Sequence, residues 1–487
     1  MAPRDAATPE TTNNHGLRRL LGTPDLISMQ LILIVGPAWT GYAARQGSAQ
    51  LVYWVAGLIA FFIPAAMTVS FCVKIWPLEG GVYQWVKHAI GPFAGFMSAW
   101  NFGAWAVLLI ATIGTLTATS IHYIIGPSGA WIETSNAVIT ALNAVLLLFM
   151  LLVNRRGFGL GRWVAHFGTS VLIVTVVLAE ILLFYHPLPV PEAAAQQKPF
   201  SLAFPIVTLL SANLFCKLTF QGLTGLEQVA VFAGETRNPA RSILRSAYIA
   251  APLIAIIYIT VTGALLTYTP ADQVDLNNPV PQLLGAGYGT GGNSFSLAKL
   301  VGQFTNIAFA IACVAQYAVI VAETSRLPMV AAWDHLIPPV FTRLHPHFRT
   351  PTVSLALIVG VAFAFSVLAS LGAESGEAFQ IMATGANIGY GVCYVLMFAV
   401  PLVAGTRLSP RPDLRPGVFL RSACIVAILV TLGAIVFALI PVVPVASPAV
   451  FAAKVAGPII LINVVGIVVY RRGARRFASE GRKNVLV

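Results

Sequence analysis

Roughly a dozen long apolar stretches in this chain are separated by loops that alternate strictly between rich and poor in Arg and Lys. A soluble fold does not sort its basic residues by loop parity, whereas insertion into a bilayer keeps Lys and Arg on the cytoplasmic side. The alternation therefore describes a polytopic helical membrane protein and assigns each loop a side. Composition leads to the same class. With 57% hydrophobic and 9% charged residues and a mean hydropathy of +0.81, the 487-residue chain has too little polar surface to cover itself in water.

A helical span needs about 20 apolar residues. Such segments are read at about 26–46, 51–73, 91–123, 135–153, 164–186, 203–231, 246–268, 298–325, 353–371, 378–404, 420–442 and 449–470, which makes twelve. With both termini placed in the cytoplasm, 24 of the 29 Lys and Arg fall inside. Arg45, Lys198, Lys299 and Lys454 fall outside, and Lys217 lies within a span. The net charge of +12 thus reflects the positive-inside rule and attraction to an anionic inner leaflet. Dispersed over many segments, it forms no patch for nucleic acid, and no nucleic-acid partner is expected.

The first 15 residues are polar and no apolar core precedes Leu26, so no cleavable signal peptide is expected and the first span serves as its own insertion signal. Cys72, Cys216, Cys313, Cys393 and Cys424 all sit inside apolar segments without close pairing. They read as small buried hydrophobes, and neither a disulfide, a metal site nor a cofactor is expected. The largest outer loop, about 269–297, reads as a Gly/Asn/Pro-rich connector, so the chain is one membrane domain.

Two spans are interrupted near their middles. The first carries Val35-Gly36-Pro37-Ala38-Trp39-Thr40-Gly41, the sixth Gln221-Gly222-Leu223-Thr224-Gly225-Leu226-Glu227. Irregular backbone at membrane depth is tolerated where it is buried in protein or lines a cavity. Two breaks five spans apart are what a five-plus-five inverted repeat produces, and the helix ends they expose offer N–H groups to an anion and C=O groups to a cation at one central point. The bland alternative is that Gly and Pro are simply common in membrane helices.

Three cytoplasmic segments carry a family resemblance. Between the second and third spans the chain reads Pro77-Leu78-Glu79-Gly80-Gly81-Val82-Tyr83-Gln84-Trp85 and then Gly91-Pro92-Phe93-Ala94-Gly95-Phe96. After the sixth span comes Ala233-Gly234-Glu235-Thr236-Arg237-Asn238-Pro239-Ala240-Arg241, and beyond the eighth come Arg326 to Pro338 and Arg349-Thr350-Pro351. In order and spacing these resemble the amino acid, polyamine and organocation transporters. The resemblance implies an all-α membrane fold of twelve transmembrane helices, with a five-plus-five inverted repeat of the LeuT type and broken first and sixth helices. It divides the chain into a cytoplasmic tail (1–25), a core of two repeats (26–186 and 203–404, together 26–404), two peripheral helices (420–470) and a second cytoplasmic tail (471–487). It also implies alternating access, with the paired glycines permitting a tight turn and the charged loops forming an inner gate.

Departures from the family pattern bear on cargo and coupling. Many amino-acid members carry Gly-Ser-Gly in the first break, where consecutive N–H groups hold the substrate carboxylate; here Pro37 has no N–H. Capture by Ala38, Trp39 and Thr40 keeps one donor fewer. Some proton-driven relatives have a lysine in the fifth span, where this chain has Ser170 or Val171, so coupling through that residue is not expected.

Ionisable residues within spans are functional candidates by default. Lys217 is placed to attract a substrate carboxylate, or else to pair with an outer acid such as Glu180. Glu227 is a proton carrier or ammonium partner, or else a hydrogen-bonded brace for the unwound backbone. Glu323, with Thr324 and Ser325, resembles the cation site of sodium-coupled members, although hydroxyls in membrane helices commonly bond their own backbone. Phe220 and Trp39 are either gates or core aromatics, and Gln221 stands where some exchangers have a gating tryptophan. The expected substrate site is thus Gly36, Ala38, Trp39, Thr40, Gly41, Lys217, Phe220, Gln221, Gly222, Thr224 and Gly225, with Glu227, Glu323, Thr324 and Ser325 for a coupling proton or sodium ion.

The leading expectation is a secondary transporter of amino acids in the cytoplasmic membrane. Uptake of a polyamine or other organic amine is the rival, and a nutrient sensor on the same fold is more distant. No His-Glu-x-x-His or Gly-x-Ser-x-Gly occurs, so an enzyme is not expected.

Overall fold

The computed structural model describes residues 16–36, 39–276, 278–290, 296–372, 375–407, 415–441 and 447–485. Among them the regular structure is helical, and one isolated bridge pairs Leu21 with Thr236. The elements used below are, in chain order, α1 (Thr23–Ile34), α2 (Trp39–Ala44), α3 (Gly47–Ile75), α4 (Val82–Ala89), α5 (Pro92–Ile125), α6 (Asn136–Arg155) and α7 (Phe158–Ile181). They continue with α8 (Leu209–Leu223), α9 (Pro239–Tyr268), α10 (Leu297–Trp333), α11 (Thr352–Gly372), α12 (Ser375–Arg407), α13 (Val418–Ala438) and α14 (Pro448–Val485).

Among the described residues ten helices are long and apolar enough to cross a membrane. The sequence reading counted twelve, and the difference lies in the two interrupted segments. The 12-residue α1 and 15-residue α8 extend only about 18 and 22 Å, short of the ~30 Å hydrocarbon layer. After α1 the chain leaves helical geometry at Val35 and re-enters it at Trp39. After α8, Thr224 is extended and Gly225 has φ +118°, before a 3-10 segment runs from Gln228 to Glu235. Both interruptions are shorter than expected. Trp39, Thr40 and Gly41 belong to α2, and Phe220, Gln221 and Gly222 to the last turn of α8.

Two further boundaries differ from expectation. The 269–297 connector contains a ten-residue helix, Pro279–Tyr288, started by Pro at its first position, where the missing N–H costs nothing. The final helix does not stop near 470 but continues to Val485, through residues of good helix propensity such as Ala, Arg, Glu and Lys.

Outward faces are apolar at helical spacing. Val55, Ile59 and Ile63 on α3, and Val145, Leu148, Phe149 and Leu152 on α6, are exposed. Such stripes suit lipid contact, while Trp54, Trp85, Tyr258, Tyr390 and Tyr394 are fully buried. Inside, α5 packs along α12 and α7 along α10; α1 lies against α9, α8 against α3, and α6 against α11.

Candidate functional site

The two interruptions lie against each other. A Cβ built on Gly225 would stand 2.8 Å from Cγ1 of Ile34, the last residue of α1. A helix end strands backbone groups that need partners, and here distant side chains supply them. At the first break Gln316 Nε2 donates to Leu33 O at 3.0 Å and Tyr258 OH to Ile34 O at 2.5 Å. Gly36 N–H donates to the Tyr258 hydroxyl at 3.4 Å. At the second break Gln30 Nε2 donates to Leu226 O at 3.0 Å, and Gly225 N–H to the Tyr394 hydroxyl at 2.7 Å. Each break is thus stitched by one glutamine and one tyrosine from other helices.

Glu227 completes the second stitch. Tyr390 and Tyr394 both donate their hydroxyl protons to its carboxylate, and Gln228 Nε2 donates to Tyr390 OH at 3.0 Å. The same Tyr394 oxygen holds both Glu227 and the freed Gly225 N–H. The aromatic wall continues through Trp105, stacked on Tyr390 with centroids 4.2 Å apart, and Phe220, edge-on to Tyr394 at 5.7 Å. Phe220 packs as a core aromatic here.

A cavity of about 20 Å³ borders the first break, lined by residues that include Val35, Gly36, Thr40, Thr175, Tyr258 and Phe309. That is room for about one water. The Thr40 hydroxyl is buried and has no hydrogen-bond partner among the described residues. Gly41 instead touches the 269–297 connector, where a Cβ would lie 3.2 Å from Asp275 O. Ala38 lies outside the described residues, as does Pro37.

Lys217 and Glu180 do not pair. Lys217 Nζ donates to Ile440 O at 3.1 Å, beside Asn213, whose Nδ2 donates to the same carbonyl at 3.2 Å. Both therefore cap the C-terminal end of α13, where stranded carbonyls attract a cation. Glu180 accepts from Thr260 Oγ1 at 2.5 Å. Thr324 and Ser325 donate to their own helix, at Ile320 O and Ala322 O, each at 2.7 Å. Ser325 Oγ also accepts from Arg326 Nη1 at 3.0 Å, so a cation already stands beside it. Glu323 is fully buried, and among the described residues neither carboxyl oxygen has a hydrogen-bond partner.

The loop motifs come together in one cluster. Arg326 binds Glu235 through two hydrogen bonds of 3.0 and 3.1 Å, with its guanidinium over the rings of Phe158 and Phe232 at 4.9 and 5.4 Å. Glu79 accepts from Gly234 N–H at 2.5 Å. Burial pushes the Glu79 carboxyl well above the usual carboxylate range and the charge of Glu235 adds to this, against a smaller opposing pull from Arg326 and the Gly234 N–H. Gly80 and Gly81 both have positive φ, +93° and +48°, which lets their turn press on Ala230 and Val231. Asp334 takes Lys87 at 2.6 Å together with the Tyr83 hydroxyl. The chain before α1 joins in, with Leu21 N–H on Glu235 O and Arg237 N–H on Leu21 O.

Sequence reasoning missed Gln30, Tyr258, Gln316, Tyr390 and Tyr394. A signal for two of them existed, since Tyr390 and Tyr394 are four apart and share a helix face. Nothing local marks the other three.

The family model described as amino acid permease matches residues 21–470. An uncharacterized transporter of Legionella pneumophila is 25% identical over 407 residues, covering 80% of this chain and 82% of the relative. A methylthioribose transporter of Bacillus subtilis is 23% identical over 68% of this chain and 69% of its own. A glutamate/serine transporter of the same organism is 22% identical over 72% and 66%. With its apolar helices and a match over nearly its whole length, this multi-pass membrane protein belongs to the amino acid permease family, within the amino acid, polyamine and organocation transporters.

Proposed function

We propose that this transporter carries amino acids across the cytoplasmic membrane by alternating access, with twelve spans and both termini in the cytoplasm. Support for the five-plus-five repeat comes from the helix packing. Moving five spans along the chain turns the α5–α12 pairing into α10–α7, and the α1–α9 pairing into α8–α3. An odd shift also reverses direction through the membrane, so the repeats, 26–186 and 203–404, are inverted. The peripheral helices, 420–470, stand outside this symmetry.

The observation that carries the reading is the meeting of two helix breaks at Ile34 and Gly225, with a cavity at the first break onto which Thr40 opens, its hydroxyl without a partner among the described residues. Cargo is held by the backbone of 36–41 and 220–225, its carboxylate on N–H groups of Trp39 and Thr40. Sealed below by Glu79, Glu235 and Arg326, this centre opens inward only when that cluster separates. An organic amine is the second reading, favoured by the missing N–H at Pro37 and by the acids Glu227 and Glu323. Counterflow in proteoliposomes loaded with a radiolabelled amino-acid mixture, or with labelled putrescine, tests both. Exchange of amino acids but not putrescine is expected, the reverse favours the amine, and no exchange of either rejects the transporter reading of this centre.

A further inference from the structure

Glu323 is the acid for which neither the breaks nor the seal has a use. It is fully buried, with both oxygens unpartnered among the described residues. Glu227 is near enough for its charge to act on it, as is Tyr390 of α12. Yet Tyr390 gives its proton to Glu227 and not to Glu323. Among the described residues no free cation serves it either. Arg326 is held by Glu235 and Lys217 by Ile440.

Other ionisable groups on the helices packed against α10 are engaged elsewhere or exposed. Asp25 of α1 and His166 of α7 bond each other at 2.8 Å, and Glu180 of α7 takes Thr260. Arg162 of α7 lies over the ring of its neighbour Trp163. On α5, His122 faces Glu133 and Tyr123 donates to Asp275. Tyr288 donates to Leu178 O, and Arg155 of α6 is exposed. A carboxylate ionised in such a place is among the costliest arrangements a protein makes, and one bound proton relieves it.

A metal cation in the same place fits poorly. Ser325 Oγ already accepts from Arg326 Nη1 at 3.0 Å, so a guanidinium charge adjoins an oxygen that would have to ligate the ion. Glu227 is fixed by two phenol donors, which leaves Glu323 as the acid free to exchange a proton.

Resting on the transporter reading above, we propose that Glu323 carries the coupling proton, so that one proton crosses with cargo and the driving ion is not sodium. An O–H bond forms at a Glu323 carboxyl oxygen with a proton from outer water. It breaks when the Glu79–Glu235–Arg326 seal separates and inner water takes the proton. No electrons move and no other group is consumed.

The test uses the full chain in proteoliposomes containing an internal pH dye, with the radiolabelled amino-acid mixture and putrescine as probes. With one proton per cycle, each pH unit of gradient supports about tenfold accumulation. The wild-type protein is expected to acidify the lumen when cargo is added and to accumulate label on a pH gradient. A sodium gradient should add nothing. Glu323→Gln should lose gradient-driven accumulation, its residual exchange no longer varying with pH, and Glu323→Asp should recover part of both. Wild-type accumulation driven by sodium, net uptake without any proton movement, or a glutamine variant that still concentrates cargo on a pH gradient would each overturn the proposal. If Glu323→Gln does not fold, the Thr324→Ala/Ser325→Ala double variant decides. Retained proton-driven uptake supports the proposal, and uptake lost together with a sodium dependence of the wild type rejects it. Failure of all counterflow rejects the transporter reading instead.

Discussion

Replacing Gly225 by alanine tests whether the two breaks meet as described. At φ +118° a side chain costs about 1–3 kcal/mol of backbone strain. The new Cβ would stand 2.8 Å from Ile34 Cγ1 and 3.3 Å from Gln228 Oε1. Ile34 is fully packed, and overfilling such a site costs about 1–3 kcal/mol more. The loss is therefore about 2–6 kcal/mol in all. A mid-range value of about 4 kcal/mol lowers the folded-to-unfolded ratio roughly a thousandfold. Relief by displacing Ile34 also pulls its carbonyl from Tyr258, so transport falls along with stability. Gly103→Ala is the control, since its Cβ lies 4.0 Å from Leu327 Cδ1 on a regular helix and gains about 0.5–1 kcal/mol. Denaturant unfolding in detergent gives the stabilities, and counterflow gives the activity. A Gly225→Ala protein within about 0.5 kcal/mol of wild type that exchanges cargo normally would refute the contact between the breaks.

Three further outcomes follow from the seal and from Lys217. Arg326→Met leaves Glu235 buried and unpaired, which costs about 3–5 kcal/mol; a thermal or denaturant shift under about 1 kcal/mol would count against the pair as drawn. Glu79 binds its proton more tightly folded than unfolded, so its contribution to stability is full below the unfolded value near ~4.3 and declines as pH rises toward the folded one. Glu79→Gln should therefore flatten the fall in stability with rising pH, and equal slopes in variant and wild type would sink the argument. Lys217→Met removes a hydrogen bond from a charged donor, about 1.5–3 kcal/mol, and should lower stability without distinguishing amino acids from the matching amines. A loss confined to carboxylate-bearing ligands in binding assays would return Lys217 to the substrate.

The membrane class, the near-complete set of spans and the positions of both breaks were legible in the residue order. Hydrophobic runs and loop charges are local properties, and the bilayer imposes its thickness on each segment separately. The loop motifs were legible too, and Gly80-Gly81 turned as their lack of a Cβ allows. Partnership was not legible. Lys217 reads as a cation beside the break, yet it faces Ile440, more than two hundred residues away in the chain. Glu227 reads as an acid in need of a cation, yet it is held by two tyrosines of α12. Gln30, Gln316 and Tyr258 look like ordinary helix residues until packing sets them against stranded backbone groups. A break in a helix announces itself locally because Gly and Pro act on their own turn, whereas the side chain that satisfies it is chosen by which helices pack together, and only the tertiary structure decides that.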